Sequence, residues 1–385
     1  MPTICHLFDG NVGWEQRLAA SQLIERLPVQ RYPWHAATVD RAAVRKWTAA
    51  PFPIATLGRP FPGPFRAVAQ LLAAGAVGRL IARKPTDIIH AWGVSAAFAA
   101  WVGLRANSAR RAALVVELFD PAIPRSDIKR LRTLTAASCL AIICSTQTIR
   151  RRLIEGGIPP DCCVVVRPGV DFGQVNHWRR GNLREKLGLS SDHRVILIPQ
   201  PIDRKHGFMD AFFAGLVLCT LTGNTRVIVP GDAREARRIA RFARCQPLSE
   251  TFVAPDPSIP FEQLVSCADV LVVPAPGDIS TTSIAWAMAA GVAVIGAAGY
   301  AVAELIAHKV NGLLFKAEAG KSMAAPIVRW LRDHDSLEKV REAARGQAYE
   351  VFSIRRYVDQ HIKLYENVCA GVAAGEGISD SAAVG

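Results

Sequence analysis

Asp87-Ile88-Ile89-His90-Ala91-Trp92-Gly93 is the stretch from which the fold can be predicted. Its apolar residues form a short run between a charged residue and a glycine, as buried strands commonly do. Comparable runs recur along the chain with amphipathic helices between them, and this alternation predicts parallel sheets with crossover helices. The predicted strands are residues 3–8, 87–91, 113–118, 140–144 and 164–167 in the first half, and 195–198, 226–229, 251–253, 270–273 and 293–295 in the second.

Each half is therefore expected to form its own doubly wound α/β sheet, in domains that span residues 1–175 and 185–352. The polar residues from 172 to 185 include two glycines and predict a linker. A last amphipathic helix is predicted over 353–368, and the small residues of 370–385 predict a disordered tail. The buried stripe of that helix is expected to consist of Tyr357, Val358, Ile362 and Tyr365.

The composition is that of a soluble globular protein, because half of the 385 residues are apolar and about a fifth are charged. Residues 284–302 carry no charge, but three glycines interrupt them, so a buried helix, turn and strand are expected there rather than a transmembrane helix.

No export signal is visible. Nine cysteines without CxxC spacing indicate reduced thiols, not disulfides or a zinc site. The expected location is the cytoplasm.

The net charge of +13 lies entirely in the first half of the chain. Residues 1–180 hold 24 Lys and Arg against 11 Asp and Glu, whereas residues 181–385 hold 22 of each. Such an excess predicts an anionic partner, for example the inner face of a membrane or a lipid-phosphate carrier, and a basic surface kept for solubility is the alternative. The residues expected to meet that partner are Arg110, Arg111, Arg125, Lys129, Arg130 and Arg132. No nucleic-acid partner is expected, because the arginines are not interleaved with aromatic residues.

A glycine-containing turn follows the first predicted strand. Asp9-Gly10-Asn11-Val12-Gly13 leads directly into the helical pattern of residues 16–27. A strand, a turn and a helix in this order present backbone N–H groups to an anion, although the full GxGxxG spacing of a dinucleotide site is absent.

Six segments in register resemble the retaining GT-B glycosyltransferases of family four. They are Phe8-Asp9-Gly10…Gly13-Trp14-Glu15, Asp87-Ile88-Ile89-His90-Ala91-Trp92-Gly93, Ile142-Ile143-Cys144-Ser145, Arg167-Pro168-Gly169-Val170-Asp171, Ala287-Met288-Ala289-Ala290-Gly291 and Asn311-Gly312-Leu313-Leu314. The resemblance implies two Rossmann-like domains facing a cleft, with the C-terminal helix returning to the first domain. It also implies a nucleotide-diphosphate-sugar donor on the second domain, a glycan, lipid-linked or small-molecule acceptor on the first, and neither cofactor nor metal. The absence of a DxD motif agrees with the last point.

The resemblance also assigns residues to the acceptor side. His90 matches a family histidine near the donor sugar and is the first catalytic candidate, with a core histidine as the alternative. Gly13 and Glu15 fall in the loop that approaches the diphosphate and the acceptor. Glu117 and Asp120 follow the third predicted strand and could hold acceptor hydroxyls, or cap a helix instead.

On the donor side the chain departs from the family at both expected clusters. Pro201-Ile202-Asp203-Arg204-Lys205-His206-Gly207 lacks the usual arginine, so Arg204, Lys205 and His206 are the cations expected to neutralise the diphosphate, with a solvated basic turn as the alternative. The family's two glutamates correspond to Asp278, a catalytic candidate, and to Trp286. The indole of Trp286 cannot accept hydrogen bonds from a ribose but could bind the donor by stacking on its ribose or base, with core packing as the alternative. Ser280, Thr281 and Thr282 can still donate to phosphate at the start of a helix.

Two functions follow from these assignments. The first is an active, metal-independent retaining glycosyltransferase with altered donor recognition. The second is a related chain that has lost transfer and serves as a binding or partner subunit, and the fold cannot decide between them.

Overall fold

In the computed structural model the chain forms two α/β units, each built on one parallel sheet, which confirms the predicted fold class. The structure describes residues 1–10, 13–39, 52–57, 66–106, 112–135, 140–199, 208–230, 241, 251–274, 281–316, 327–328 and 334–374. The first unit comprises Met1–Gly169 together with Arg355–Gly385, and the second comprises Val170–Ile354.

The first sheet has seven strands in the order β3-β2-β1-β4-β5-β6-β7. They are β1 (Ile4–Phe8), β2 (Trp34–Thr38), β3 (Ile54–Thr56), β4 (Ile88–Trp92), β5 (Ala113–Leu118), β6 (Leu140–Cys144) and β7 (Cys163–Val165). Because the chain builds outward in one direction from β1 and in the other from β4, the switch point lies between these two strands. The helices are α1 (Trp14–Arg26), α2 (Arg66–Arg83), α3 (Val94–Arg105), α4 (Arg125–Leu134) and α5 (Gln147–Glu155).

The two faces of this sheet differ in chemistry. One face presents alternate residues such as Leu7, Ile89 and Val116 to an apolar core shared with α2 and α3. The other face carries His6, His90 and Glu117, all fully or almost fully buried. The C-terminal helix α13 (Ile354–Ala374) provides hydrogen-bond partners for His90 and Glu117, so polar side chains fill the space beneath this helix.

The second sheet has six parallel strands in the order β10-β9-β8-β11-β12-β13. They are β8 (Arg194–Leu197), β9 (Thr225–Ile228), β10 (Phe252–Val253), β11 (Val270–Val273), β12 (Ala293–Ala297) and β13 (Leu313–Phe315). Here the switch point lies between β8 and β11. The helices are α6 (Phe172–Arg179), α7 (Leu183–Lys186), α8 (Phe208–Thr222), α9 (Phe261–Val265), α10 (Thr282–Ala289), α11 (Tyr300–Ala303) and α12 (His334–Val351).

The segment predicted as a linker is instead helical over much of its length. Asp171 caps α6 by accepting a hydrogen bond from the Gln174 N–H at 3.1 Å. Phe172 and Trp178 then pack on aromatic residues of the second unit. The units divide at Gly169 and Val170, a few residues before the expected boundary.

The C-terminal helix is longer than predicted. It runs to Ala374 and so takes up the first residues of the stretch that was expected to be a disordered tail. Residues 375–385 lie outside the described residues.

Candidate functional site

Several predicted site residues follow, in sequence, strands that flank the two switch points, and open α/β sheets bind ligands at the carboxyl edge of such strands. In the first unit Gly13 and Glu15 come after β1, and Asp120 comes after β5, next to β4. In the second unit residues 204–206 come after β8, and residues 278–282 come after β11. Of these residues the structure describes Gly13, Glu15, Asp120, Thr281 and Thr282, which come beyond the carboxyl ends of their strands.

Glu15 has the most perturbed carboxyl group at the edge of the first sheet. It lies in the first turn of α1 and is partly buried. Burial, together with the charge of Asp120, raises its pKa to about 7, although a backbone hydrogen bond and Arg17 act in the opposite direction. A carboxyl group that titrates near neutral pH can hold a hydroxyl either as a donor or as an acceptor.

Gly13 caps α1, but its N–H is not available to a phosphate. That N–H donates to the Gln16 side chain at 2.9 Å. The reason for a glycine is local, since a Cβ at this position would lie 3.0 Å from Oε2 of Glu15. Gly13 therefore leaves room for the Glu15 carboxylate.

Asp120 is exposed just beyond the end of β5. One of its carboxylate oxygens accepts the Ala122 N–H at 2.8 Å, which forms a local turn. This turn precedes α4 and is not a helix cap. The negative charge of Asp120 contributes to the raised pKa of Glu15, so Asp120 stays a candidate for binding the acceptor.

His90 lies inside its strand and not at the strand's end, because β4 continues to Trp92. Its ring is fully buried, with Nδ1 at 2.7 Å from the hydroxyl of Tyr365 and Nε2 at 3.1 Å from Oε2 of Glu117. Burial lowers the pKa of His90 below its usual value, although Glu117 acts in the opposite direction. This geometry favours the core histidine over the catalytic one.

Glu117 also lies within its strand, inside the predicted range 113–118, and does not follow the strand as its assignment to the acceptor supposed. Its oxygens accept from the Tyr357 hydroxyl at 2.8 Å and lie 3.2 Å from Nε2 of His361. Burial opposes its ionisation, but the interactions with His361 and His90 outweigh this and lower its pKa to about 2. With both oxygens engaged in the core, Glu117 is not placed to hold an acceptor.

On the donor side, Thr281 and Thr282 lie where α10 begins, and both are buried. The Thr281 hydroxyl has no hydrogen-bond partner among the residues that the structure describes. Arg204, Lys205, His206, Asp278 and Ser280 lie outside the described residues.

Trp286 is fully buried on α10, a helix whose eight residues are all buried. Its ring lies 5.8 Å from that of Trp178, and its indole N–H has no partner in the described part of the second unit. The position that the resemblance assigned to a ribose contact is therefore occupied by a core side chain.

The basic residues that were predicted to meet an anionic partner lie on α4 as far as they are described. Arg125, Lys129 and Arg132 are exposed, and Arg130 pairs with Asp127 at 3.5 Å. Arg110 and Arg111 lie outside the described residues. Among the described helices none is both long and apolar enough to cross a bilayer.

The polar contacts that α13 makes with the first sheet were not predicted from the sequence. Tyr357 and Tyr365 were expected in its buried stripe, but not His361, which lies on the same face four residues after Tyr357 and is fully buried. The spacing of four residues between His361 and each tyrosine could have predicted that His361 lies in the same buried stripe.

Two family profiles match the chain, one in each half. Glycosyltransferase Family 4 matches residues 34–174, and Glycosyl transferases group 1 matches residues 201–333. A sequence search of curated proteins finds no match.

Solved structures resemble the chain over its whole length. Anabaena HepE in complex with UDP-glucose is 17% identical with a TM-score of 0.77, and the alignment covers 95% of this chain and 100% of that one. A glycosyltransferase from Rickettsia africae is 15% identical with a TM-score of 0.76, covering 95% and 98%. Sucrose-phosphate synthase from Thermosynechococcus elongatus is 15% identical with a TM-score of 0.72, covering 96% and 100%. At these identities the likeness shows the GT-B fold.

Proposed function

Because this chain belongs to the family 4, group 1 glycosyltransferases, we propose that it transfers a sugar from a nucleotide-diphosphate-sugar to an acceptor with retention of configuration. The acceptor is a glycan, a lipid-linked sugar or a small molecule bound by the first unit. The donor is bound by the second unit, and HepE, whose structure contains UDP-glucose, makes a UDP-sugar the first donor to test.

The start of α10 is the observation that carries the proposal. It lies beyond the carboxyl end of β11, beside the switch point of the second sheet, and it presents a buried threonine hydroxyl without a partner in the described structure. A helix N-terminus with such a hydroxyl suits a phosphate group. Residues 204–206 follow the neighbouring strand β8 in sequence and are the cations expected to neutralise the diphosphate.

The transfer requires little general acid or general base catalysis by the protein. The bond between the anomeric carbon and the diphosphate breaks, the acceptor oxygen bonds to that carbon on the same face, and its proton passes to the leaving diphosphate. Cations and helix N–H groups stabilise the charge that develops on the diphosphate, so no metal or cofactor is needed for the transfer.

On this proposal Glu15 and Asp120 bind acceptor hydroxyls, and Asp278 orients the donor sugar. His90 and Glu117 are left out of the reacting set because both are engaged in the core of the first unit. Gly13 serves by making room for Glu15.

One observation favours the alternative, a homologue that binds but does not transfer. Trp286 packs in the core where the family has a ribose-binding glutamate, so the donor would lose a charge-assisted hydrogen bond. Donor affinity is the property that separates the two functions.

A thermal-shift panel of nucleotide-sugars tests the proposal directly. A true donor at 100 times its dissociation constant should stabilise the protein by about 2.7 kcal/mol. Transfer is then followed with that donor, and the anomeric configuration of the product is read by NMR. A panel without any shift contradicts the proposed transferase and favours the partner subunit.

We also propose that the exposed cations of α4 attach the first unit to an anionic membrane surface. Each contributes about 1 kcal/mol near an anionic leaflet. Changing Arg125, Lys129 and Arg132 to glutamate should abolish co-sedimentation with phosphatidylserine vesicles at low salt. Lys186→Glu with Lys339→Glu, both exposed in the second unit, should leave it unchanged. Equal sedimentation of both variants would refute the attachment.

A further inference from the structure

Three side chains with metal-binding atoms converge in the core of the first unit. His90 of β4, Glu117 of β5 and His361 of α13 each bring one such atom within 4.8 Å of the other two, and all three residues are buried. Two imidazoles with one carboxylate form a ligand set that Zn²⁺ uses in proteins.

The outer atoms of these side chains are already held by neighbours. Nδ1 of His361 donates to the Tyr357 carbonyl at 2.8 Å, so Nε2 is the nitrogen of this ring that faces Glu117. Nδ1 of His90 lies 2.7 Å from the Tyr365 hydroxyl, and Oε1 of Glu117 accepts from the Tyr357 hydroxyl at 2.8 Å. Ligands of bound metals are oriented by outer hydrogen bonds of this kind.

The inner atoms meet at distances that suit coordination. Nε2 of His361 and Nε2 of His90 lie 3.2 and 3.1 Å from the same oxygen, Oε2 of Glu117. His90 nevertheless makes no hydrogen bond through this nitrogen, which is therefore not directed at the oxygen. Ligands about 2.0–2.1 Å from a tetrahedral zinc ion lie about 3.3 Å from one another, which is close to both distances.

His6 is a further buried histidine on this face of the sheet, but it is not placed as another ligand. Its Nδ1 accepts from the Trp92 indole at 3.3 Å, which leaves the proton of a neutral ring on Nε2.

We propose that His90, Glu117 and His361 bind one structural Zn²⁺ ion, which fastens α13 to the sheet of the first unit. The ligands come from segments far apart in sequence, Glu117 and His361 being separated by 244 positions. A search of the sequence for closely spaced cysteines or histidines cannot find such a site. The test of this site is independent of the proposed transfer, because it measures metal content and melting temperature.

Metal analysis of the purified full-length protein, after removal of any affinity tag, tests the site. We expect about one zinc ion per chain in the wild type. His361→Gln should lower the metal content at least tenfold. His35→Gln, at a half-buried histidine of the same unit outside the cluster, should keep it. Another divalent metal in equal amount would support the site and change only the ion.

Co²⁺ binding gives a readout that does not depend on folding of the variant. Wild-type protein stripped by a chelator should gain visible absorption when it binds Co²⁺ and lose it when Zn²⁺ is added. Its melting temperature should rise by several degrees on zinc addition. A folded, metal-free wild type that shows no Co²⁺ absorption and no response to zinc or chelator would overturn the proposal, with a proton on His361 completing the cluster instead.

Discussion

Trp286→Glu is expected to destabilise the second unit by more than about 4 kcal/mol, because it buries a carboxylate without a partner. The side chain is fully buried, the other residues of α10 are buried as well, and Trp178 packs against the ring. At roughly 2–4 °C per kcal/mol for a unit of this size, the melting temperature should fall by about 10 °C. Differential scanning calorimetry measures this fall.

Trp286→Phe is the matched control. It keeps an aromatic ring in the core and removes an indole N–H that has no partner in the described structure, so the main cost is lost volume, about 1–2 kcal/mol. A glutamate variant that melted like the wild type and bound a UDP-sugar more tightly would contradict this expectation. It would show that the position faces the donor after all.

The difference between the expected and observed role of Trp286 shows what each kind of sequence signal can predict. The resemblance assigned the position to a ribose contact by register alone. The charge-free stretch 284–302 independently predicted a buried helix, turn and strand, and this local signal predicted the burial of Trp286 correctly. Apolar runs thus report the environment of a residue, whereas register reports only its place in the chain.

Three strands, β2, β3 and β13, were not predicted because their local sequence signal is weak. Ala36 and Ala37 dominate β2, and β3 and β13 are only three residues long, so none forms a β-branched run of typical length. Their strand character comes from pairing with β1, β2 and β12, which a local pattern does not contain. The order of the predicted strands was sufficient for the fold class, because the alternation with helices survived these omissions.

The cluster beneath α13 could not be predicted for a different reason. Each member is unremarkable in its own segment, since His90 and Glu117 stand in apolar strands and His361 stands in an amphipathic helix. Only the packing of α13 on the strand face of β4 and β5 brings them together. Long-range polar clusters of this kind follow from tertiary packing and not from spacing in sequence.

Glu15→Gln is expected to stabilise the first unit at pH 8 by about 1–3 kcal/mol and to have no effect near pH 4. Because the pKa of Glu15 is raised from 4.5 to about 7 in the folded chain, the folded state holds a proton between these pH values that the unfolded state has released. The stability contributed by Glu15 is therefore complete below about pH 4.5 and is lost as the pH rises to about 7. The lower end of the range allows for solvent around a partly exposed side chain.

Urea unfolding of the wild type and of Glu15→Gln between pH 4 and 8 measures the effect, and Glu25→Gln, at an exposed position of the same helix, controls for the lost negative charge. The difference between wild type and Glu15→Gln should grow through the interval from pH 4.5 to 7, whereas Glu25→Gln should follow the wild type. If Glu15 also holds the acceptor, Glu15→Gln should raise the KM for the acceptor and leave the KM for the donor unchanged. Parallel stability curves for Glu15→Gln and the wild type would show that the Glu15 carboxyl is not perturbed, and would remove the electrostatic argument for placing it at the acceptor site.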